Sequence, residues 1–276
     1  MTTRRYHLYA MTLGFGAANA LIRPVIVAAR DQGPAAAFDG FGVSFVIWLS
    51  IGWGLVTLLR APGPEATGHD YAMAGLAAGL LLVPVATVSW IVTGVLAFFW
   101  THRAKSNVLA ASACAVIAFV ALRDPIASLV LKLLATPLLG FDAALVAKVL
   151  GWTDGNIARA GNMIYAANGH QLLILTGCTS YTNMSIALLG WFAISKALAG
   201  EDGRIAWSLG LFVALGIFAI NIGRLAIMGL SPAAYTFMHD SHGALISELL
   251  MVAVTVFISL WGNRHGPSTQ FLRHRA

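Results

Sequence analysis

Long apolar runs separated by short polar stretches dominate this chain. Most of them are close to the roughly 20 residues that a helix needs to cross a lipid bilayer. Because a backbone in lipid must satisfy its own hydrogen bonds, such runs predict transmembrane helices. The runs cover residues 8–29, 40–59, 71–100, 107–122, 181–199, 206–229 and 243–262.

Two stretches depart from a simple alternation of span and loop. The run 71–100 contains Pro84 and exceeds one bilayer crossing, so it is either one kinked helix or a pair, and the polar stretch 101–105 favours the pair. Residues 123–152 are interrupted by charges and by two prolines, which predicts short interfacial or re-entrant helices. The interrupting residues are Arg123, Asp124, Pro125, Lys132, Pro137, Asp142 and Lys148.

The polar segment 153–177 predicts a small β element. Asn168-Gly169 lies between two apolar stretches, and an Asn-Gly pair accepts the positive φ angles of a type I′ hairpin turn. We expect this hairpin to bring Cys178 to the membrane surface.

Composition identifies the class of protein. The chain is 58% hydrophobic and only 10% charged, with a mean hydropathy of +0.78, which excludes an ordinary soluble domain of 276 residues. The net charge of +6 does not indicate nucleic-acid binding, because the basic residues cluster at span ends and in the tail 263–276. The N-terminus resembles a signal peptide but has no convincing cleavage site, so we interpret it as a retained first helix.

The basic tail also sets an orientation. If residues 263–276 are cytoplasmic, the loop 230–242 is outside, helix 206–229 ends outside, and helix 181–199 begins outside. With a cytoplasmic N-terminus, about eight crossings are needed. Either a split 71–100 run or an extra crossing within 125–150 gives that total.

Three reactive side chains therefore fall on one face of the membrane: Cys178, Arg224 and His239. A thiol, a guanidinium and an imidazole are the components of a cysteine-based acyl-transfer site. Asn221 lies three residues before Arg224 on the same helical face, so the two side chains are expected to converge on one oxyanion or carboxylate. His242 is the alternative general base, although the N-terminal dipole of the final helix disfavours an imidazolium there. Cys114, in the middle of a span, suits helix packing.

Each of these residues also has a plain structural interpretation. Cys178 alone would serve as a small packing residue, and Arg224 would extend towards the lipid headgroups. Asn221 would hold helices together, and His239 would be an ordinary polar loop residue. The competing functional class is a non-enzymatic transporter or an assembly subunit of an envelope export system. A transporter tends to show paired repeats, and none is apparent.

The last 130 or so residues resemble the exosortase/archaeosortase family of membrane-embedded cysteine transpeptidases. The similar motifs are Gly155–Ile157, Gly161–Ile164, Leu173–Ser180, Asn221–Arg224 and His239–Gly243. The chain departs from the family pattern at Thr179-Ser180, where Ser-Gly is common, and at Ala244, where the family has tryptophan. The resemblance implies that Cys178, Arg224 and His239 form the active site.

By this resemblance the protein cleaves the C-terminal tripartite sorting signal of secreted proteins and transfers them to an unknown acceptor. The implied partners are those tailed proteins and membrane lipid, without nucleic acid, metal or organic cofactor. The expected fold is an all-α polytopic membrane protein of about eight helices, with a small extracytoplasmic β-hairpin-like segment before Cys178. It forms one integral membrane domain (1–276) in the cytoplasmic membrane. Its expected parts are the N-terminal helices 1–122, the interfacial and extracytoplasmic segment 123–177, the catalytic helices 178–262 and the cytoplasmic tail 263–276.

Overall fold

The computed structural model describes residues 3–153, 156–166, 168–199, 205–240 and 242–265. These residues are mostly helical, as the apolar runs predict. The helices are α1 (Arg5–Gln32), α2 (Phe45–Arg60), α3 (Gly68–Leu81), α4 (Ala86–Arg103), α5 (Val108–Leu150), α6 (Ser180–Leu198), α7 (Trp207–Leu230), α8 (Pro232–Asp240) and α9 (His242–His265). Two 3₁₀ helices cover Gly33–Gly42 and Thr176–Cys178.

Among the described residues, four helical segments are long and apolar enough to cross a membrane: Arg5–Phe38, Val108–Leu150, Trp207–Leu230 and His242–Gly262. Large apolar side chains such as Leu245, Phe257 and Phe212 are exposed on these helices. Exposed apolar side chains on long helices are typical of a surface that faces lipid. The loop 200–205 and the tail 263–276, on which the predicted orientation rests, lie almost entirely outside the described residues.

The run 71–100 forms a pair of helices, as the polar stretch after it favoured. Helix α3 ends at Leu81 and α4 begins at Ala86, with Pro84 between them. The stretch 123–150 follows on from α5 without a loop, but a kink divides it into a helical segment that ends before Leu134 and a shorter one that runs to Leu150. The backbone departs from helical geometry at Leu134, three residues before Pro137. A proline inside a helix clashes with the carbonyl group four residues before it, which accounts for a kink at this point.

The chain divides into two compact units, residues 1–126 with 192–205, and residues 127–191 with 206–276. In the first unit, Asp70 is fully buried at the start of α3 and pairs with Arg5 at 3.0 Å and Arg103 at 3.3 Å. Tyr9 donates a hydrogen bond to it at 2.9 Å. Burial alone would raise the pKa of Asp70, but hydrogen bonds from Thr67 and Tyr9 and the charge of Arg5 hold it well below its usual range. This cluster joins the ends of α1, α3 and α4.

The second unit contains a three-stranded antiparallel sheet in the order β1 (Ala158–Ala160), β2 (Met163–Tyr165) and β3 (Gln171–Leu173). The expected β element before Cys178 is confirmed. Tyr165 pairs with Gln171, and the Ala166 N–H donates to the His170 carbonyl group at 2.9 Å. A type I′ turn needs a positive φ at both central residues, and Asn168 does not have one, so the expected type I′ turn is wrong. The side chain of Asn168 accepts a hydrogen bond from the backbone N–H of His170, and Gly169 has a φ of 82°. Asn168 thus makes a local Asx turn.

Candidate active site

Cys178 lies where the small sheet gives way to helix α6. Ile164 and Leu172 are buried on facing strands and anchor the sheet in the apolar core of the second unit. After β3 the chain makes one 3₁₀ turn, closed by a hydrogen bond from the Cys178 N–H to the Leu175 carbonyl at 2.9 Å. The thiol is free and half-buried, and it packs against that core. Sheet and turn together place Cys178 two residues before α6.

Asn221 on helix α7 holds the Cys178 segment. Its Nδ2 atom donates to the carbonyl oxygen of Cys178 and to Ser180 Oγ, both at 3.0 Å. Its Oδ1 atom accepts from Asn183 Nδ2 at 2.8 Å. Since the amide is fully buried and its hydrogens are committed to this segment, Asn221 positions the backbone beside the thiol. The expectation that it converges with Arg224 on a substrate oxyanion does not fit these contacts.

Asp142 on α5 holds the same segment from another side, a role that the sequence did not indicate. Only 3% of the residue is exposed. One carboxylate oxygen, Oδ2, accepts from Thr179 Oγ1 at 2.8 Å and from the backbone N–H of Ser180 at 2.9 Å. The two residues after Cys178 are therefore fixed by one buried acceptor atom. In the sequence, the feature that could have pointed to this role is a carboxylate within an otherwise apolar helix, because such a charge needs a buried partner.

Arg224 lies one turn beyond Asn221 on α7 and is half-buried. Its Nε and Nη2 atoms both donate to the carbonyl oxygen of Met238, each at 3.4 Å. Among the side chains that the structure describes, a set that does not include Asp240, no carboxylate lies within ion-pair distance of this guanidinium. A charge within an apolar helix is costly unless a partner neutralises it, so this cation is suited to an anionic group brought by a ligand.

His239 follows Met238 directly and lies in the last turn of α8, which occupies most of the segment expected to be a short loop. Its exposed ring stacks on Tyr235, with the ring centroids 5.1 Å apart and the planes at 11°. His242 is the first residue of α9 and is also exposed. Asp240, adjacent in sequence, has a side chain outside the described part of the structure.

His170 was not indicated by the sequence and lies behind this stack. Its ring meets Tyr235 edge-on at 6.3 Å, and its Nε2 atom lies 3.0 Å from the carbonyl oxygen of Met228. Because a carbonyl oxygen only accepts, Nε2 carries a proton in this hydrogen bond. His170 thus connects the small sheet to α7 and supports the ring on which His239 stacks.

Two neighbouring turns of α7 thus contact the two segments that carry Cys178 and His239. Asn221 binds the backbone of Cys178, and Arg224 binds the carbonyl group directly before His239. Within the described residues, no group of three or more His, Cys, Asp or Glu side chains is arranged to hold a metal ion. Comparisons with protein-family models, with curated proteins and with solved structures found no match to this chain.

Proposed function

We propose that this protein is a membrane cysteine transpeptidase or peptidase of the exosortase/archaeosortase type. The observation that carries the proposal is the pairing of two contacts on α7: Asn221 with the Cys178 carbonyl, and Arg224 with the Met238 carbonyl. These contacts attach the segment that bears a thiol and the segment that bears an imidazole to adjacent turns of one helix. The second contact is made by the guanidinium of Arg224 itself, which is suited to an anionic ligand.

In this proposal Cys178 is the nucleophile. Its thiolate attacks the scissile carbonyl near the C-terminal tail of a secreted protein, and the amine leaves as the thioester forms. His239 takes the thiol proton and returns it to the leaving amine. An amine-bearing acceptor, or water, then attacks the thioester and releases the thiol. The acceptor amine gives a transferred product, and water gives plain hydrolysis.

Arg224 would stabilise the oxyanion that forms on the attacked carbonyl or orient a substrate carboxylate. A preorganised donor in a site that excludes water stabilises developing charge more strongly than it would in bulk water. The half-buried position of Arg224 supports this role. Asn221 and Asp142 would keep the Cys178 segment in one conformation, so that the nucleophile is placed before the substrate arrives.

We further propose about eight crossings of the cytoplasmic membrane, with the site at the extracytoplasmic face. The directions of the helices support one shared end: α6 begins just after Cys178, α7 ends just after Arg224, and α9 begins just after His239. Basic residues in the tail 263–276 favour a cytoplasmic end for α9. Substrates would be secreted proteins with a short motif, a transmembrane helix and a basic cluster at the C-terminus.

The decisive experiment replaces the thiol. Cys178→Ala, expressed with a tailed secreted protein, should abolish the shift of that protein on a gel while the variant remains in the membrane at normal level. Cys114→Ala is the matched control, because Cys114 is fully buried in the core of the first unit and should leave processing intact. Normal processing by Cys178→Ala would favour the non-enzymatic alternative, a transporter or an assembly subunit.

A further inference from the structure

A groove in the first unit combines two cations with apolar walls. It has a volume of about 550 Å³ and is bounded by the second half of α1 and the turn between α3 and α4. This volume lies within the range of roughly 300–1,000 Å³ that is typical of ligand pockets. Its lining includes Asn19, Ile22, Arg23, Ile26, Arg30 and Pro84.

The two arginines share one side of α1. Arg23 and Arg30 are seven residues apart, or about two helical turns, with Ile26 and Val27 between them. Both guanidinium side chains are exposed, and neither takes part in an ion pair among the described residues. No acidic residue is among the described residues that line the groove. The site therefore attracts an anion and offers apolar surface next to it.

The wall of the groove is held in place by Asn19. Its Nδ2 atom donates to the carbonyl oxygen of Leu81, at the end of α3, and to Ser89 Oγ, both at 2.8 Å. These bonds connect α1 to both helices that flank Pro84. Arg23 lies one turn and Arg30 three turns beyond Asn19 on the same helix.

The position of the groove across the membrane indicates its ligand. Arg5 pairs with Asp70 and so marks one end of α1. At roughly 1.5 Å per residue, Arg23 lies about 27 Å and Arg30 about 38 Å from Arg5 along the helix axis. The hydrocarbon core of a bilayer is about 30 Å thick. If Arg5 lies at one interface, Arg30 lies in the opposite headgroup layer, and Arg23 lies about 3 Å inside its boundary, where its long side chain reaches the headgroups.

We propose that this groove binds the phosphate headgroup of an anionic phospholipid. Arg23 and Arg30 bind the phosphate group, since a guanidinium matches phosphate oxygens with paired donors. Ile22, Ile26 and Val27 contact the first methylene groups of an acyl chain. Basic pockets at the ends of transmembrane helices bind acidic lipids by the same combination of charge and apolar contact. The site is independent of the cysteine chemistry proposed above.

The test is native mass spectrometry of the purified full-length protein in detergent. Phosphatidylglycerol and phosphatidylcholine with identical acyl chains are added in equal amounts. The wild-type protein should retain phosphatidylglycerol preferentially. Arg23→Gln combined with Arg30→Gln should lower its apparent affinity by about tenfold or more, because two contacts with the phosphate are lost. Equal retention of the two lipids by the wild-type protein would overturn the proposal.

Two further variants test whether a loss of lipid affinity comes from the groove itself, from a general loss of positive charge or from misfolding. Arg60→Gln removes one exposed arginine at the end of α2 and should retain the lipid as the wild-type protein does. Arg23→Lys combined with Arg30→Lys keeps both charges and should bind clearly better than the glutamine pair. The idea fails if Arg60→Gln loses as much affinity as the glutamine pair, or if the lysine pair binds no better.

Competition identifies the part of the lipid that is recognised. Glycerol 3-phosphate, which carries the phosphate without acyl chains, should displace phosphatidylglycerol only at far higher concentration, because it makes no contact with the apolar wall. Displacement at equal concentrations would show a site for small anions and would overturn the assignment to a phospholipid.

Discussion

The amide of Asn221 donates to the carbonyl oxygen of Cys178 at 3.0 Å, across 43 positions of sequence. This bond ties the turn after the small sheet to the middle of an apolar helix. A buried amide that lost such a partner would leave unpaired polar groups on both sides, which is costly in an apolar environment. The conformation of the chain at the thiol is therefore coupled to the packing of α7.

Substitutions of Arg224, on the same helix, test the proposed chemistry. Arg224→Gln should lower the rate of substrate processing by about 10²–10³-fold, the loss typical for one donor at an oxyanion. Arg224→Lys should retain more activity, because it keeps the charge without the planar fork. The measurement is the initial rate of cleavage of a tailed substrate in isolated membranes.

Arg159→Gln is the control for that prediction. Arg159 is also an arginine of the second unit that donates only to backbone carbonyl groups, of Gly140 at 3.2 Å and Gly161 at 2.8 Å. It is exposed and lies on β1, so its loss should leave the rate close to normal. An equal loss of rate in both variants would mean that Arg224 acts through stability and not through the substrate.

Asp142 gives a prediction about the conformation of the Cys178 segment. Both donors, from Thr179 and Ser180, meet the single oxygen Oδ2, and an asparagine carbonyl oxygen can replace that atom. Asp142→Asn should therefore keep most of the stability and processing. Asp142→Ala leaves two buried donors without a partner and should lower the free energy of unfolding by about 2–4 kcal/mol.

Thermal unfolding in detergent and the processing rate together decide the role of Asp142. The asparagine variant should melt near the wild-type temperature, while the alanine variant should melt lower and process more slowly. If the asparagine variant loses as much as the alanine variant, the charge of Asp142 is needed, and the explanation based on a shared acceptor atom is wrong.

Much of the fold was accessible from the sequence because lipid imposes a simple rule on long apolar runs. The all-α class, the split at Pro84 and the β element before Cys178 are confirmed. The stretch 123–150 was predictable only in part. The kink at Leu134 agrees with Pro137 as a helix breaker, whereas Arg123, Asp124 and Pro125 do not interrupt the helix, because the apolar residues around them keep it packed.

The supporting residues of the site were harder to predict. Asp142 precedes Ser180 by 38 positions, and His170 contacts Met228 across 58. No local spacing encodes such contacts, since they arise from packing of the sheet against α5 and α7. Cys178, Arg224 and His239 stand out in the sequence because a reactive side chain close to the end of an apolar run is conspicuous in itself. Their chemical roles remain predictions.

Asp70 gives a prediction about stability and pH in the first unit. Asp70→Asn should lower the free energy of unfolding by about 3–5 kcal/mol, because Arg5 and Arg103 lose a buried counter-charge. The pKa of Asp70 is lowered by folding, so its contribution is complete above the unfolded value of about 3.9 and is lost as the pH falls below it. Unfolding in detergent as a function of pH measures both effects.

Asp124→Asn is the matched control, because the Asp124 side chain is 66% exposed in its pair with Arg123. Since the Asp124 carboxylate is mostly in contact with solvent, its interaction with Arg123 contributes little to stability, and this variant should unfold like the wild-type protein at every pH. A flat pH dependence for the wild-type protein between about pH 5 and pH 3 would contradict the stabilising role of ionised Asp70.

The two histidines near the site provide the sharpest test of the general base. His239 lies in the last turn of α8 with its ring stacked on Tyr235, and Arg224 of α7 donates to the carbonyl group directly before it. His242 is the first residue of α9. The contact with Arg224 favours His239 as the base. His239→Ala should therefore slow processing by about 10²–10⁴-fold, while His242→Ala should lose far less. Initial rates in membranes, with the amount of each variant measured by immunoblot, test this order, and the reverse order would identify His242 as the base.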